Sequence, residues 1–91
     1  MNNSWYVYLL RCHDNTLYTG VTTDPQRRLH EHNHTTRGAR YTRARRPVEL
    51  VYHECAEDRA GACRREWEIK QLDSAGKRAL IAAKTVELVL E

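Results

Sequence analysis

The acidic side chain best placed for chemistry in this sequence is Glu66. On a helical wheel for residues 59–72, at about 100° per residue, Glu66 falls inside an apolar arc and Glu68 falls outside it. That arc is formed by Ala62, Cys63, Trp67 and Ile69. A carboxylate facing the core costs free energy unless a cation, a metal ion or hydrogen-bond donors compensate it. Glu66 is therefore a candidate metal ligand, and a structural ion pair with an arginine is the alternative.

A second predicted helix, over residues 25–34, presents a basic pair. Arg28 and His32 lie four residues apart on one face, beside the only large apolar residue of the helix, Leu29. Arg27 faces the other way. An inward arginine suits phosphate binding. The alternative is a cationic helix face that only covers the sheet.

Tyrosines and one glycine mark the first two predicted strands. Tyr6 and Tyr8 belong to the first strand, and Tyr18 and Gly20 belong to the second. A glycine inside a strand costs stability and often marks a bulge or the close approach of another group. Cross-strand packing is the usual role of strand tyrosines, so the strands alone favour packing over catalysis.

The positive charge is concentrated in one stretch of the chain. Residues 27–46 contain seven arginines and one glutamate, a net charge of +6, against +3 for the whole chain. Arginine suits bidentate phosphate contacts, and a basic patch is the usual footprint of nucleic-acid binding. A solvated basic loop is the alternative. The candidate phosphate-binding residues are Arg37, Arg40, Arg43, Arg45 and Arg46.

The elements that must position these residues follow from hydrophobic periodicity and turn chemistry. Three strands are predicted, over residues 5–12, 17–21 and 48–54. Three helices are predicted, over residues 25–34, 59–72 and 75–84, with N-caps Asp24, Asp58 and Ser74. The first two strands are apolar on both faces, which predicts helices on both sides of the sheet. A basic loop is predicted over 35–47, and residues 86–91 carry no prediction.

Length and composition predict one globular domain over residues 1–91, with a core at about 5–84. Hydrophobic residues make up 41% and charged residues 30% of 91 residues, which is ordinary for such a domain. No apolar run approaches the roughly 18 residues of a membrane span, and the first residues lack the pattern of a signal peptide. We therefore expect a cytoplasmic protein without membrane contact. Three cysteines without a C-x-x-C argue against a disulfide scaffold.

The order of these features resembles the GIY-YIG nuclease superfamily. Its tyrosine motifs resemble Y-V-Y at 6–8 and Y-T-G at 18–20, and its helix motif resembles D-P-x-R-R-L-x-x-H at 24–32. The small stand-alone bacterial branch, close to the nuclease subunit of a eukaryotic branched-DNA resolvase, is the most similar. Its segments resemble G-A-R-Y-T at 38–42, R-R-P-V-E-L-V-Y at 45–52 and A-C-R-R-E-W-E-I-K at 62–70. The resemblance covers about residues 5–72.

The resemblance implies an α+β fold with a small three-stranded antiparallel sheet flanked by helices. It implies an endonuclease that hydrolyses phosphodiester bonds in DNA, structured or branched DNA in particular, as used in DNA repair, and it leaves RNA open. It also implies one divalent cation, Mg²⁺ or another such as Mn²⁺. By position it implies catalytic roles for Tyr8, Tyr18, Arg28, His32 and Glu66, with Glu66 as the metal ligand, and Gly20 matches the motif glycine.

The sequence departs from the family pattern in two places. The first motif begins with Tyr6 rather than glycine. Several members carry an asparagine about a dozen residues beyond the glutamate, whereas no asparagine follows Asn33 here, which leaves Gln71 or Ser74 for that role. The alternative function is a nucleic-acid-binding module that kept the fold and lost cleavage. A zinc site formed by His30, His32, His34 and a cysteine is a further alternative, although the spacing matches no structural-zinc pattern.

The resemblance also constrains the register of the hairpin formed by the first two strands. If Tyr8 and Tyr18 share one site, they must lie on the same face of the sheet, and the register decides this. A three-residue loop, Asp14–Thr16, would satisfy the demand by pairing Cys12 with Tyr18 and Leu10 with Gly20. Such a loop needs Asn15 or Thr16 in the left-handed backbone region.

Overall fold

The fold is an antiparallel three-stranded sheet with helices on both faces, as expected. In this computed structural model the described residues are 4–90, with side chains up to residue 84. The strands are β1 (Trp5–Arg11), β2 (Leu17–Thr22) and β3 (Glu49–Ala56), and the sheet order is β2-β1-β3. The helices are α1 (Pro25–His34), α2 (Arg40–Arg43), α3 (Arg59–Lys70) and α4 (Ser74–Leu90). The predicted α+β class is confirmed.

The central strand β1 supplies the core on both sides. Val7 and Leu9 are fully buried on the side of α3, where they pack with Ala62 and Ile69. Alternate residues point the other way, and a second cluster on the side of α1 contains Tyr8, Leu10, Cys12, Val48 and, partly buried, Leu29. Full burial of a large apolar side chain contributes roughly 1.5–3 kcal/mol. The prediction of helices on both faces is therefore confirmed.

The hairpin loop has the predicted length but begins one residue earlier. Asn15 adopts the left-handed region at φ 67°, and its N–H donates to the carbonyl of Cys12 at 2.8 Å. The N–H of Cys12 donates to the carbonyl of Thr16 at 2.9 Å, so the loop is His13–Asn15. The carboxylate of Asp14 accepts a hydrogen bond from the hydroxyl of Thr16 at 2.6 Å, which stabilises the turn where it leads into β2.

The register of the hairpin differs from the predicted one but keeps its parity. Tyr8 lies opposite Gly20, and Leu10 lies opposite Tyr18. The predicted pairs of Cys12 with Tyr18 and of Leu10 with Gly20 are wrong, because the loop closes one residue sooner on each side. A shift by two partners leaves the side-chain faces unchanged. Tyr8 and Tyr18 therefore share a face, as expected.

The buried face of α3 is centred on Ala62 and Ile69 and does not extend to Trp67, in contrast to the apolar arc that the helical wheel predicts. Ala62 and Ile69 are fully buried, but Cys63 is exposed and the side chain of Trp67 is 65% exposed. A three-stranded sheet covers only part of the circumference of a helix, and the contact falls on the side that carries Ala62 and Ile69. Trp67 as a core residue is therefore a wrong prediction.

Other boundaries shift by small amounts. The predicted loop over 35–47 contains the short helix α2, and the third helix continues to Leu90. The first turn of α4 is capped by Asp73, whose carboxylate accepts a hydrogen bond from the N–H of Gly76 at 2.8 Å. The predicted cap, Ser74, is therefore one residue too late. No helix in the described part of the chain is long and apolar enough to cross a membrane.

Gly20 has a steric role that the register explains. A Cβ atom at this position would lie 2.5 Å from the hydroxyl oxygen of Tyr8 and 2.6 Å from its Cζ atom. We expect Gly20→Ala to lower the free energy of unfolding by about 1–3 kcal/mol, because the buried ring of Tyr8 must move. Urea denaturation measures this loss.

The matched control is Gly61→Ala in α3. There the nearest atom to an added Cβ is the exposed Oδ1 of Asp58 at 3.2 Å, and alanine has the higher helix propensity. We expect this variant to be at least as stable as the wild type. A Gly20→Ala protein with wild-type stability would contradict the close packing of Tyr8 over Gly20.

Candidate active site

A chain of hydrogen bonds links β1 to α1 and α2 inside the core. His32 is fully buried, and its Nε2 lies 2.9 Å from the hydroxyl of Tyr8. Its Nδ1 lies 2.7 Å from Oγ1 of Thr42, and that hydroxyl donates to the carbonyl of Ala39 at 2.9 Å. A threonine hydroxyl carries one hydrogen, so Oγ1 accepts from Nδ1–H in this short bond, which outweighs the long 3.4 Å approach of the Ala39 N–H to the same nitrogen. We assign the tautomer on this basis, and Tyr8 then donates to Nε2.

The electrostatics of the buried pair agree with this assignment. Burial, and to a smaller extent the charge of the nearby Arg28, lowers the pKa of His32 to about 4. Burial raises the pKa of Tyr8 to about 12, an effect that the hydrogen bond with Arg28 opposes and that Tyr18 and Glu66 reinforce. At neutral pH, His32 is therefore an uncharged acceptor and Tyr8 a protonated phenol.

Arg28 is held beside the hydroxyl of Tyr8. Its Nη1 donates to Oε1 of Glu31 at 2.9 Å and to the carbonyl of Arg37 at 2.8 Å. Burial works against its charge, but hydrogen bonds with Glu31 and Tyr8 raise the pKa of Arg28. The inward orientation predicted for Arg28 is confirmed, and it leaves a fixed positive charge at the tyrosines. Glu31 was not predicted to have a part in this arrangement, although it was the one acidic residue in the basic stretch.

Tyr18 connects the buried cluster to the surface. Its ring centroid lies 5.3 Å from that of His32 and 6.4 Å from that of Tyr8. On its outer side it stacks on Tyr41, at 6.1 Å between centroids, and the guanidinium of Arg45 covers the Tyr41 ring at 3.8 Å. Tyr41 is 37% exposed and was missed, although an aromatic residue in a basic loop could have pointed to it.

Glu66 reaches the same neighbourhood from α3. Its side chain is only 23% exposed and forms an ion pair with Lys70 at 3.3 Å. It lies near enough to Tyr8 to raise the pKa of the phenol, whereas Glu68 pairs with Arg65 at 3.1 Å. Glu66 is therefore the less exposed of the two glutamates, at 23% against 49% for the side chain of Glu68, as the helical wheel predicted.

The basic stretch divides into outward and inward arginines. Arg37, Arg40 and Arg43 are exposed, and among the described residues none of the three forms an ion pair. Arg45 pairs with Asp14 at 3.0 Å. Arg46 points inward instead, because its guanidinium donates to the carbonyls of His32 and Thr35, each at 2.5 Å. It closes the C-terminal end of α1, so its position serves the fold rather than a phosphate.

The donor set at Glu66 fits a hard cation that keeps most of its waters. In the part of the chain that is described, no three histidine, cysteine, aspartate or glutamate side chains are grouped to hold a metal ion. A single carboxylate suits Mg²⁺, which binds through one or two carboxylates, waters and substrate phosphates. His32 is unsuited to the alternative zinc site, because both of its ring nitrogens form hydrogen bonds within the core. Gln71 and Ser74 are exposed.

The fold and this cluster define a class of protein that the comparison with known families identifies. The GIY-YIG catalytic domain matches residues 4–79, and the chain belongs to this family. Among curated proteins it is similar to a UPF0213 protein of Desulfotalea psychrophila, with 55% identity over 80 residues, or 88% of this chain and 73% of the relative. It is also similar to a UPF0213 protein of Haloquadratum walsbyi, with 50% identity over 80 residues, or 88% of this chain and 89% of the relative.

Two solution NMR structures support the same assignment. The UPF0213 protein of Bacillus halodurans is 41% identical, with a TM-score of 0.58, and the match covers 89% of this chain and 85% of that one. A protein of E. faecalis is 42% identical, with a TM-score of 0.58, and the match covers 96% and 90% of the two chains. The fold that the sequence predicted is therefore shared with solved members of this group.

The depressed pKa of His32 predicts a pH dependence of stability. The pKa is about 4 in the folded chain against an ordinary value of 6.5, so the unfolded state takes up the proton first as pH falls. The contribution is complete above about pH 6.5 and is lost between about 6.5 and 4, on the order of 3 kcal/mol in all. Urea denaturation from pH 4 to 8 measures the loss.

Two variants isolate the contribution of His32. We expect His32→Gln, which keeps hydrogen-bonding atoms but does not titrate, to reduce the slope between pH 4 and 6.5, while His53, whose pKa burial also lowers, still contributes to it. His34→Gln removes an exposed histidine of the same helix and should keep the wild-type slope. An unchanged slope in His32→Gln would show that His32 is not held uncharged in the core.

Proposed function

We propose that this protein is a metal-dependent endonuclease that hydrolyses phosphodiester bonds in DNA, with structured or branched DNA as its substrate. The observation that carries the proposal is the convergence on Tyr8. Tyr18, His32, Arg28 and Glu66 come from three different elements, and each contacts the phenol or changes its pKa. Membership of the GIY-YIG family supports the same chemistry.

The two tyrosines have different parts in this proposal. With a pKa of about 12, Tyr8 holds its proton at neutral pH and donates it in the hydrogen bond to His32. Tyr8 therefore orients the attacking water and does not take up its proton. Tyr18, at the boundary between the buried cluster and the surface, is left as the proton acceptor for the attacking water, a role that requires its phenolate form, which positive charge from Arg28 and a bound cation would favour. General base catalysis of this kind contributes about 10²–10⁴-fold to a rate.

The charged residues neutralise the phosphate. Arg28 offers its guanidinium to the scissile phosphate as negative charge develops there. Glu66 would hold the divalent cation, which when bound supplies a Lewis acid at a phosphate oxygen. Lys70, itself half-exposed, is the present partner of Glu66, and i, i+4 ion pairs on helices contribute only about 0.3–0.5 kcal/mol. That pairing is weak enough for a divalent cation to replace it.

The surface around the site suits recognition of the DNA backbone. Arg37, Arg40 and Arg43 are exposed on one segment beside α1. Arginines of this kind bind phosphates and carry no sequence information by themselves. This favours a substrate recognised by its shape. The alternative, a binding module without cleavage, is supported by the absence of an asparagine after Asn33.

Glu66→Gln tests the catalytic proposal against that alternative. We expect plasmid nicking with Mg²⁺ to fall at least about 10²-fold, because the amide is a poor ligand for the cation, while DNA binding in EDTA is retained. Glu68→Gln is the matched control on the same helix and should nick at the wild-type rate. Nicking by the wild type that survives Glu66→Gln would refute the assignment of Glu66. No nicking by the wild type on duplex, flap or four-way DNA would favour the binding module.

A further inference from the structure

A cleft opens along the outer edge of β2, next to the candidate active site. It has a volume of about 240 Å³ and is lined by Leu17, Tyr18, Thr19, Tyr41, Lys70 and Lys77. Small-molecule pockets usually have about 300–1,000 Å³, so this cleft suits a phosphate with part of its sugar rather than an entire nucleotide. Because Tyr18 belongs to its wall, the cleft and the tyrosine cluster are continuous.

The charged groups of the cleft are both cationic. Lys70 at the end of α3 and Lys77 in the first turns of α4 contribute two ammonium groups, and among the described residues no carboxylate lines the cleft. Within the described residues, Lys77 forms no ion pair. Lys70 is 52% exposed and pairs with Glu66, and exposed pairs of this spacing exchange readily in water. The cleft is therefore suited to an anion.

Two further features of the wall favour an extended ligand. Tyr41 stacks on Tyr18 and is 37% exposed, so its ring offers an apolar surface to a sugar or base. The hydroxyl of Thr19, also in the wall, is buried and finds no hydrogen-bond partner among the described residues. Unsatisfied buried hydroxyls of this kind often bind a water or an ion.

We infer that this cleft binds a backbone phosphate of the nucleic-acid substrate, adjacent to the scissile one, through Lys70 and Lys77. The inference rests on the proposed function, which supplies the ligand. It adds a binding site for the nucleic-acid strand on one side of the cleaved bond. A lysine ammonium is a compact charge that binds a phosphate without fixing its orientation. Lys70 also links the two sites, because its ammonium pairs with Glu66 and at the same time lines the cleft.

The test is the salt dependence of DNA binding in EDTA, measured by fluorescence anisotropy on a labelled duplex. Each phosphate contact removed should lower the slope of log K against log salt by about 0.9 for duplex DNA. We expect that reduction for Lys70→Gln and again for Lys77→Gln. Lys70→Arg and Lys77→Arg keep the charge and should keep the wild-type slope, which separates loss of charge from a change in folding.

Lys84→Gln is the matched control. Lys84 lies at the opposite edge of the sheet, where its ammonium donates to the carbonyl of His53 in β3, and its loss should leave the slope unchanged. Equal reductions for all three lysines, or no reduction for Lys70→Gln and Lys77→Gln, would overturn the inference. Nicking of DNA by the wild type is scored separately, so the cleft can be supported in a protein that does not cleave, and refuted in one that does.

Discussion

The hydrogen bond between the hydroxyl of Tyr8 and Nε2 of His32 is the interaction on which the rest of the site depends. Both side chains are buried, at 2% and 0% exposure, and a buried polar group without a partner costs about 1–3 kcal/mol. Each therefore needs the other. Because Tyr8 belongs to the central strand and His32 to α1, satisfying the pair fixes the helix against the sheet. Thr42 extends the same requirement to α2.

The same burial separates the functions of the neighbouring residues. With pKa values of about 12 and about 4, the phenol of Tyr8 and the imidazole of His32 are both uncharged at neutral pH. The hydrogen-bonded pair is a rigid, uncharged support against which Arg28 and Tyr18 pack. In the proposed mechanism the groups that act on the substrate lie around this pair, with Arg28 on the side of Glu31 and Tyr18 toward the cleft that contains Lys70.

Much of this arrangement follows from the sequence because it depends on local periodicity. Asp24 and Pro25 start α1 where predicted, and the wheel distinguishes Arg28 from Arg27 and Glu66 from Glu68. Contacts between distant segments do not follow from periodicity. Thr42 reaches His32 and Tyr41 reaches Tyr18 because α2 folds back on α1, and hydrophobic periodicity does not predict that contact. Trp67 shows the opposite error, since a helical wheel cannot indicate how wide a face the sheet will cover.

The division of labour between the two tyrosines is the central claim, and single-turnover cleavage of a four-way DNA substrate with Mg²⁺ tests it most directly. The account predicts that Tyr18→Phe lowers the rate at least about 10²-fold, because the proton acceptor is gone. Tyr8→Phe should retain more activity than Tyr18→Phe and lose folding stability instead, because His32 is left without its partner. Wild-type cleavage by Tyr18→Phe, with activity abolished in a folded Tyr8→Phe protein, would contradict the account.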